Sequence, residues 1–301
     1  MVESILSNLR PADIVQEPFP YVWRLNALDP AYYAELARAF PSLERITGGG
    51  PLPNNQVFRR PSCDVISDPA VPAVWRGFFA YHCSSDFLNE LMGFWSSSIA
   101  KEYPDIERRF GRPLSALTSR MRYYKAGKPP ESLRENMRCD VTLDTQFVVN
   151  SPVTETSTVR GPHLDKPYKL FAAILYMRAP EDESAGGNLR LYRLKDRRAR
   201  FDRRQHIDER FVEPFDEIPY QANAVVLWLN TPAALHGVTP RSPTAVPRRY
   251  INFVAECYAL RTDTFFDLER TPWATAYGRA KQLARRRKVL QEQRVAALHA
   301  V

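Results

Sequence analysis

Cysteine, histidine and long apolar runs are all scarce in this chain of 301 residues. The four cysteines lie far apart and form no C-x-x-C pair, so the sequence suggests neither a zinc knuckle nor a redox dithiol. We expect buried thiols in a reducing compartment. No apolar stretch approaches the roughly 20 residues that span a bilayer, and the opening segment MVESILSNLRPADIVQE lacks the basic and apolar regions of a signal peptide. The sequence therefore predicts a soluble, cytoplasmic protein with no membrane partner.

Net positive charge is also scarce outside one short segment. The net charge is +8, but seven basic residues and one glutamate lie between Arg279 and Arg294, so this segment carries six of the eight charges. The rest of the chain is nearly neutral, which argues against nucleic acid as a partner. Apolar residues recur in 261–301 at helical spacing and predict a basic amphipathic helix, whose stripe packs on the protein or forms a homodimer contact.

Helical signals dominate residues 1–118, which we expect to form an N-terminal region packed on a core. Asp29 precedes a proline and is a predicted N-cap, because LDPAYYAELARAF has an apolar face at helical spacing. A second helical stretch is predicted to begin at Asp68 and to restart near Asp86. Between the two stretches, TGGGPLPNN is a predicted loop.

Strand patterns replace the helical ones in residues 119–260. The β-rich runs are SRMRYYKAG, VTLDTQFVVN, YKLFAAILYMR, NLRLYRL, AVVLWLN and RRYINFVAECY. Short strands without intervening helices predict an antiparallel sandwich or jelly roll, mainly β with flanking helices. The polar stretch 195–217 is predicted to be a long loop within this region.

A candidate metal site lies in RGPHLDKPYKLFAAILYMR, just before a predicted strand. His163 and Asp165 are one residue apart, so they project to the same side of an extended segment. Two histidines and one carboxylate leave open positions on iron(II) for oxygen chemistry. His236 follows another apolar strand and a short turn, which makes it a candidate for the second histidine.

A second His-x-Asp motif, His206 to Asp208, is a competing candidate. It lies in a run dense with charges and has no apolar strand directly after it, so a solvated loop is the preferred interpretation. His82 falls in a helical apolar pattern and is interpreted as a core or interface histidine.

The order of these motifs resembles a known family. HLD followed by AAILYMR, then GGNLRLY, AVVLWLNTPAALHGVTP and RRYINF, is similar to the iron(II)- and 2-oxoglutarate-dependent dioxygenase superfamily, particularly its prolyl 4-hydroxylase-like branch. The resemblance covers roughly residues 119–258. It implies a double-stranded β-helix (jelly-roll) core and iron(II), 2-oxoglutarate and O2 as the cofactor set.

The resemblance also implies roles for individual residues. His163, Asp165 and His236 would be the iron ligands, and Tyr176 would hydrogen-bond the distal carboxylate of 2-oxoglutarate. An arginine on the last core strand would form a salt bridge to that carboxylate. The Gly186-Gly187 pair matches the tight turn before the next strand.

The arginine has two candidates, Arg248 and Arg249. The stretch between His236 and these residues is longer than the family usually shows and contains a third arginine, Arg241. Side chains alternate across a strand, so Arg248 shares a face with Tyr250 and Asn252, whereas Arg249 shares the apolar face of Ile251 and Phe253. A polar interior around 2-oxoglutarate favours Arg248.

Substrate contacts are predicted at Gln146 and Asn150, on one face of the strand before the motif, and at Lys166 beside it. The resemblance implies an oxygenase that hydroxylates a small molecule or amino acid derivative. Because Asp165 is present, hydroxylation or desaturation is preferred to halogenation. The alternative is a non-catalytic jelly-roll module that binds an anionic partner through its basic C-terminal helix. A cupin-like metalloenzyme would usually supply more histidines.

Overall fold

Two β-sheets face each other in this computed structural model, and helices cover the outer face of the larger sheet. The structure describes residues 2–124, 127, 129–196, 198–260, 264–266 and 268, with six single positions beyond. The predicted C-terminal helix and its homodimer contact therefore lie outside the described residues. None of the described helices is long and apolar enough to cross a membrane.

The helices are concentrated in the first third of the chain, as predicted. They are α1 Pro30–Arg38, α2 Leu43–Thr47, α3 Ser62–Ile66, α4 Ala73–His82, α5 Ser85–Glu102, α6 Ile106–Phe110 and α7 Pro129–Asn136. The Asp29 carboxylate accepts hydrogen bonds from the first-turn N–H groups of α1, which confirms the predicted cap.

One predicted helix start is wrong in detail, and the start predicted near Asp86 is confirmed. The helix expected at Asp68 begins at Ala73, after a second proline, Pro72. The next helix is capped by the Ser84 hydroxyl, and Asp86 lies in its first turn. Asp68 and the two prolines after it each mark a possible helix start, and local sequence does not choose between them.

The described residues form ten strands: β1 Tyr21–Arg24, β2 Val57–Arg60, β3 Ser119–Met121, β4 Val141–Asn150, β5 Lys169–Tyr176, β6 Leu189–Leu194, β7 Val212–Ile218, β8 Val225–Leu229, β9 His236–Val238 and β10 Arg248–Glu256. The larger sheet has the order β1-β8-β5-β10-β4-β2. Its pairs are antiparallel except that β3 runs parallel to β4.

The smaller sheet has the order β7-β6-β9. The extended segment 157–163 lies on the other side of β9, with bridges from Ser157 to Arg241 and from His163 to His236. Non-consecutive strands thus alternate between two facing sheets, which is the predicted double-stranded β-helix.

Strand alternation divides the apolar residues into two cores. On β10, Ile251 and Phe253 pack with the helices, whereas Tyr250 and Val254 line the space between the sheets. Phe147 on β4 also faces the helices, where it meets the ring of Trp75 edge-on at 4.7 Å between centroids. The helical region therefore covers the larger sheet and leaves its other face free to build a site.

Three other features differ from the predictions. The predicted loop 195–217 ends in the strand β7. Most residues of β7 are exposed and polar, so its sequence lacks the alternation of apolar and polar residues that predicts a strand. The strand predicted over SRMRYYKAG ends at Met121, and the unpredicted α7 follows. Cys83, Cys139 and Cys257 are buried free thiols as expected, but Cys63 is only partly buried. The proposed division at 118 and 260 stays a prediction.

Candidate metal centre

The side chains of His163, Asp165 and His236 converge at one end of the space between the sheets. One ligand atom from each lies within 4.8 Å of the others, and all three residues are buried. The backbones of His163 and His236 exchange hydrogen bonds of 2.9 and 3.0 Å, which brings the two imidazole centroids to 4.3 Å. Strand pairing across β9 therefore assembles the group from distant positions.

Hydrogen bonds define the tautomer of both imidazoles. Nδ1 of His163 donates to the carbonyl of Gly161, and Nδ1 of His236 donates to the carbonyl of Ala234, each at 2.9 Å. Nε2 of each ring is left as the lone-pair donor. Burial lowers the pKa of both histidines, so they are neutral and able to bind a metal at ordinary pH.

Asp165 supplies the negative charge of the group. Its Oδ1 accepts a hydrogen bond from Nζ of Lys169 at 3.0 Å, which leaves Oδ2 for a metal. Burial alone would raise the pKa of Asp165, but the Lys169 ammonium and the nearby His236 and His163 hold it well below its usual range. Two neutral imidazoles and one ionised carboxylate are a donor set that suits iron(II) with open coordination positions.

His206 lies beside this group rather than within it. Its ring centroid is 5.9 Å from that of His163, and the neighbouring Gln205 carbonyl accepts a hydrogen bond from the N–H of Leu164. The second motif is therefore part of the wall of the centre and not a free solvated loop, because the polar excursion folds back onto the smaller sheet. Nothing in its local sequence indicated this return.

Arg248 lies deeper in the same space, and its guanidinium contacts three neighbours. Nε donates to the carbonyl of Gly187 at 2.8 Å, Nη1 to Oδ1 of Asn150 at 3.3 Å and Nη2 to the hydroxyl of Tyr176 at 3.2 Å. Only 2% of Arg248 is exposed, and it forms no ion pair within the described part of the chain. The rings of Tyr176, Tyr220 and Tyr250 surround the guanidinium at 4.7 to 5.1 Å.

The turn before β6 helps to hold this arginine. Gly186 has a φ of +78°, and a Cβ there would lie 1.8 Å from the carbonyl oxygen of Pro240. Only glycine fits such an approach. The predicted tight turn is thus present, and its second residue supplies the carbonyl that binds Arg248.

The other two arginines have different environments. Arg241 is fully buried and forms an ion pair of 2.7 Å with the buried carboxylate of Asp182, so its charge is already matched. Arg249 points to the helical side, where it lies over the ring of Phe40 and donates to the carbonyl of Met177. Arg248 and Arg249 therefore occupy opposite faces of β10, as strand alternation predicts.

Asn150 carries a further sign of a binding site. It is completely buried, and although its Oδ1 accepts from Arg248, its Nδ2 has no hydrogen-bond partner within the described structure. An unpaired buried donor costs about 1 to 3 kcal/mol. A buried cation, a tyrosine hydroxyl and a free amide donor together fit a carboxylate.

The remaining predicted substrate residues are placed differently. The Gln146 amide donates to Asp144 at 2.6 Å and accepts from Asn252 at 3.1 Å, so both of its ends are occupied. Lys166 is half-buried beside Asp165. Substrate contact by either residue stays a prediction.

His82 was correctly interpreted as a core residue. It is 1% exposed, its Nε2 accepts from the N–H of Ile5 at 3.1 Å, and its Nδ1 donates to the carbonyl of Phe78 at 2.8 Å. It lies in the helical core and not in the metal centre.

No protein-family model matches the chain, and no curated protein matches it. Among solved structures, the chain is similar to a prolyl 4-hydroxylase from Pseudomonas putida, with 13% identity, coverage of 79% of this chain and 92% of that chain, and a TM-score of 0.37. A prolyl 4-hydroxylase from Phytophthora capsici is 15% identical, with coverage of 88% of this chain and 68% of that chain and a TM-score of 0.44. A non-haem α-ketoglutarate-dependent carbocyclase from nogalamycin biosynthesis is 11% identical, with coverage of 79% of each chain and a TM-score of 0.38. At this level of similarity, the case for a function depends on the site itself.

Proposed function

We propose that the protein is an iron(II)- and 2-oxoglutarate-dependent oxygenase that hydroxylates a small molecule. The observation that carries the proposal is the pairing of two sites in one interior. His163, Asp165 and His236 form a donor set of two imidazoles and one carboxylate, and Arg248 is a buried cation without an acidic partner in the described chain. A 2-oxo diacid would bind iron at one end and satisfy the arginine at the other.

Separate groups of residues would bind the metal, bind the cosubstrate and exclude water. His163, Asp165 and His236 would hold iron, with Lys169 keeping one oxygen of Asp165 away from the metal. Arg248, the Tyr176 hydroxyl and the Asn150 amide would bind the distal carboxylate of 2-oxoglutarate. The apolar walls between the sheets, including Val148, Leu191 and Trp228, would exclude water.

Iron and 2-oxoglutarate would supply the oxidative chemistry. In the net reaction, O2, 2-oxoglutarate and a substrate C–H bond give the alcohol, succinate and CO2. One oxygen atom enters succinate and the other enters the product. Because the carboxylate ligand Asp165 is retained, hydroxylation is preferred to halogenation.

The proposal is tested by metal and cosubstrate binding, followed by turnover. Calorimetry with manganese(II) should give one metal site per chain and, on the loaded protein, one 2-oxoglutarate site. With iron(II) and O2, slow substrate-independent formation of succinate should appear by NMR and should be absent in His163→Ala. A non-catalytic module that binds an anionic partner predicts neither metal-dependent binding of 2-oxoglutarate nor formation of succinate. The absence of both would therefore overturn the oxygenase proposal.

A further inference from the structure

Arg160 lies at the rim of the metal centre, on the segment that pairs with β9. Its carbonyl accepts a hydrogen bond of 2.9 Å from the N–H of Val238, which fixes its backbone against the smaller sheet. Its guanidinium Nε donates to Nε2 of His206 at 3.3 Å, and Nη2 reaches the carbonyl of Arg204 at 3.5 Å. Because the His206 ring packs on that of His163, the guanidinium is one side chain away from the metal ligands.

His206 orients Arg160 without matching its charge. Its Nε2 is the acceptor, and burial, followed by the field of Arg160, lowers the pKa of His206, so the ring is neutral. The nearby Asp202 carboxylate accepts from the backbone N–H groups of Arg204 and His206. Arg160 itself forms no ion pair with any described residue.

Arg59 approaches the same rim from the larger sheet. It is paired with Val148 on β4, which is paired with Tyr250 on β10 and, through it, with Tyr176 on β5. Directly paired residues share a face of a sheet, so Arg59 belongs to the interior face at the edge strand β2. Its side chain is exposed and has neither a hydrogen bond nor an ion pair with the described part of the chain.

Electrostatics supports the approach of these two cations. Burial lowers the pKa of Arg160, Asp165 raises it, and the field of Arg59 lowers it again, so the two guanidiniums repel each other. The charge of Asp165 is meanwhile already matched by Lys169 at 3.0 Å. Asp202 also acts on the Arg160 guanidinium, but among the described residues no carboxylate forms an ion pair with Arg160 or with Arg59, so the rim has two guanidiniums that can bind a further anion.

We propose that the primary substrate carries a carboxylate, which binds between Arg59 and Arg160 next to the metal centre. His206 is a positioning residue that aims Arg160 at this carboxylate. Guanidinium groups bind carboxylates through paired N–H donors, and a partly desolvated pair strengthens that contact. The inference rests on the proposed oxygenase function, since it assigns the substrate class of the same site.

The experiment uses the full chain loaded with manganese(II) and saturating 2-oxoglutarate. Benzoate and benzamide are the probes, because they differ only in the charged group. Paramagnetic manganese should broaden the proton resonances of benzoate bound beside it and leave those of benzamide sharp. In Arg160→Gln and Arg59→Gln, the affinity for benzoate should fall about tenfold or more, since each removes one partner of a charge-assisted contact. Arg160→Lys should retain part of the affinity.

Arg193→Gln is the matched control, because Arg193 is exposed on β6 and its guanidinium lies over the ring of Phe215 at 4.5 Å. It should leave benzoate binding unchanged, and 2-oxoglutarate affinity should be unchanged in all of these variants. Equal broadening of benzamide, sharp benzoate in the unaltered protein, or benzoate affinity that survives both glutamine substitutions would overturn the inference. Failure to bind manganese or 2-oxoglutarate at all would instead count against the oxygenase proposal, and the inference would fall with it.

Discussion

Arg248 and Tyr176 lie 72 residues apart in sequence on neighbouring strands, and the guanidinium donates a hydrogen bond of 3.2 Å to the tyrosine hydroxyl. The contact holds both polar groups in a buried interior where the described chain offers the arginine no carboxylate. A buried cation in this position is costly unless an anion completes it. The Arg248–Tyr176 pair is therefore the part of the interior best suited to bind an acidic ligand.

Replacing Arg248 should mainly affect cosubstrate binding. Arg248→Gln is expected to weaken 2-oxoglutarate binding by roughly 2 to 4 kcal/mol, the range for removing one partner of a desolvated charge pair. Calorimetry on the manganese-loaded protein measures this. Arg249→Gln is the matched control, since Arg249 lies over Phe40 on the helical side. The reverse ranking of the two variants would move the cosubstrate to the other face of β10.

Asn150→Asp should separate cosubstrate binding from stability. The introduced carboxylate would lie beside the Arg248 guanidinium and match its charge, so the cosubstrate-free protein should melt at a higher temperature while 2-oxoglutarate binding is lost. Asn150→Leu removes the amide without adding charge and should weaken binding without raising the melting temperature. Calorimetry and thermal melting check both variants. A fall in the melting temperature of Asn150→Asp would contradict the view that Arg248 lacks a partner.

The ligand set can be tested against the neighbouring histidine. His163→Ala or His236→Ala should abolish tight binding of manganese(II), because each removes one of three donors that lie within 4.8 Å of one another. His206→Ala should still bind the metal, since its ring lies outside the group. Circular dichroism would show that all three variants remain folded. Metal binding that survives His163→Ala but not His206→Ala would reverse the assignment.

His82 should make stability depend on pH. Burial lowers the pKa of His82 to about 3, below the value of 6.5 for an exposed histidine. Between these values the unfolded chain binds a proton that the folded chain does not, so stability is present above pH 6.5 and is lost as the pH falls. His82 alone should contribute a slope of about 1.4 kcal/mol per pH unit below pH 6.

Urea unfolding of His82→Leu at several pH values measures this contribution. The variant is less stable because the Ile5 N–H loses its acceptor, but its stability should fall less steeply with decreasing pH. The buried His163 and His236 contribute their own dependence in both proteins, so the difference between the two curves isolates His82. Parallel curves would show that His82 is protonated equally in the folded and unfolded states.

Local sequence patterns were enough to predict the strand-rich region, the His-x-Asp motif and the faces of β10. These depend on local periodicity, because apolar residues alternate across a strand whatever lies opposite. Arg248 and Arg249 could be assigned to opposite faces for this reason, whereas the Gly186-Gly187 turn was expected only from the family resemblance. The start of α4 and the strand β7 could not be predicted, since caps and exposed edges leave weak local signals.

The charge partners and neighbours of the site residues could not be predicted from local sequence. Strand alternation separated Arg248 from Arg249, but only the folded structure shows that Asp182 pairs with Arg241 and that no described carboxylate pairs with Arg248. Lys169 meets Asp165, and the polar excursion brings His206 beside His163 and Arg160. Such contacts depend on which strands, distant in sequence, pair with one another in the two sheets. Local sequence patterns do not indicate that pairing.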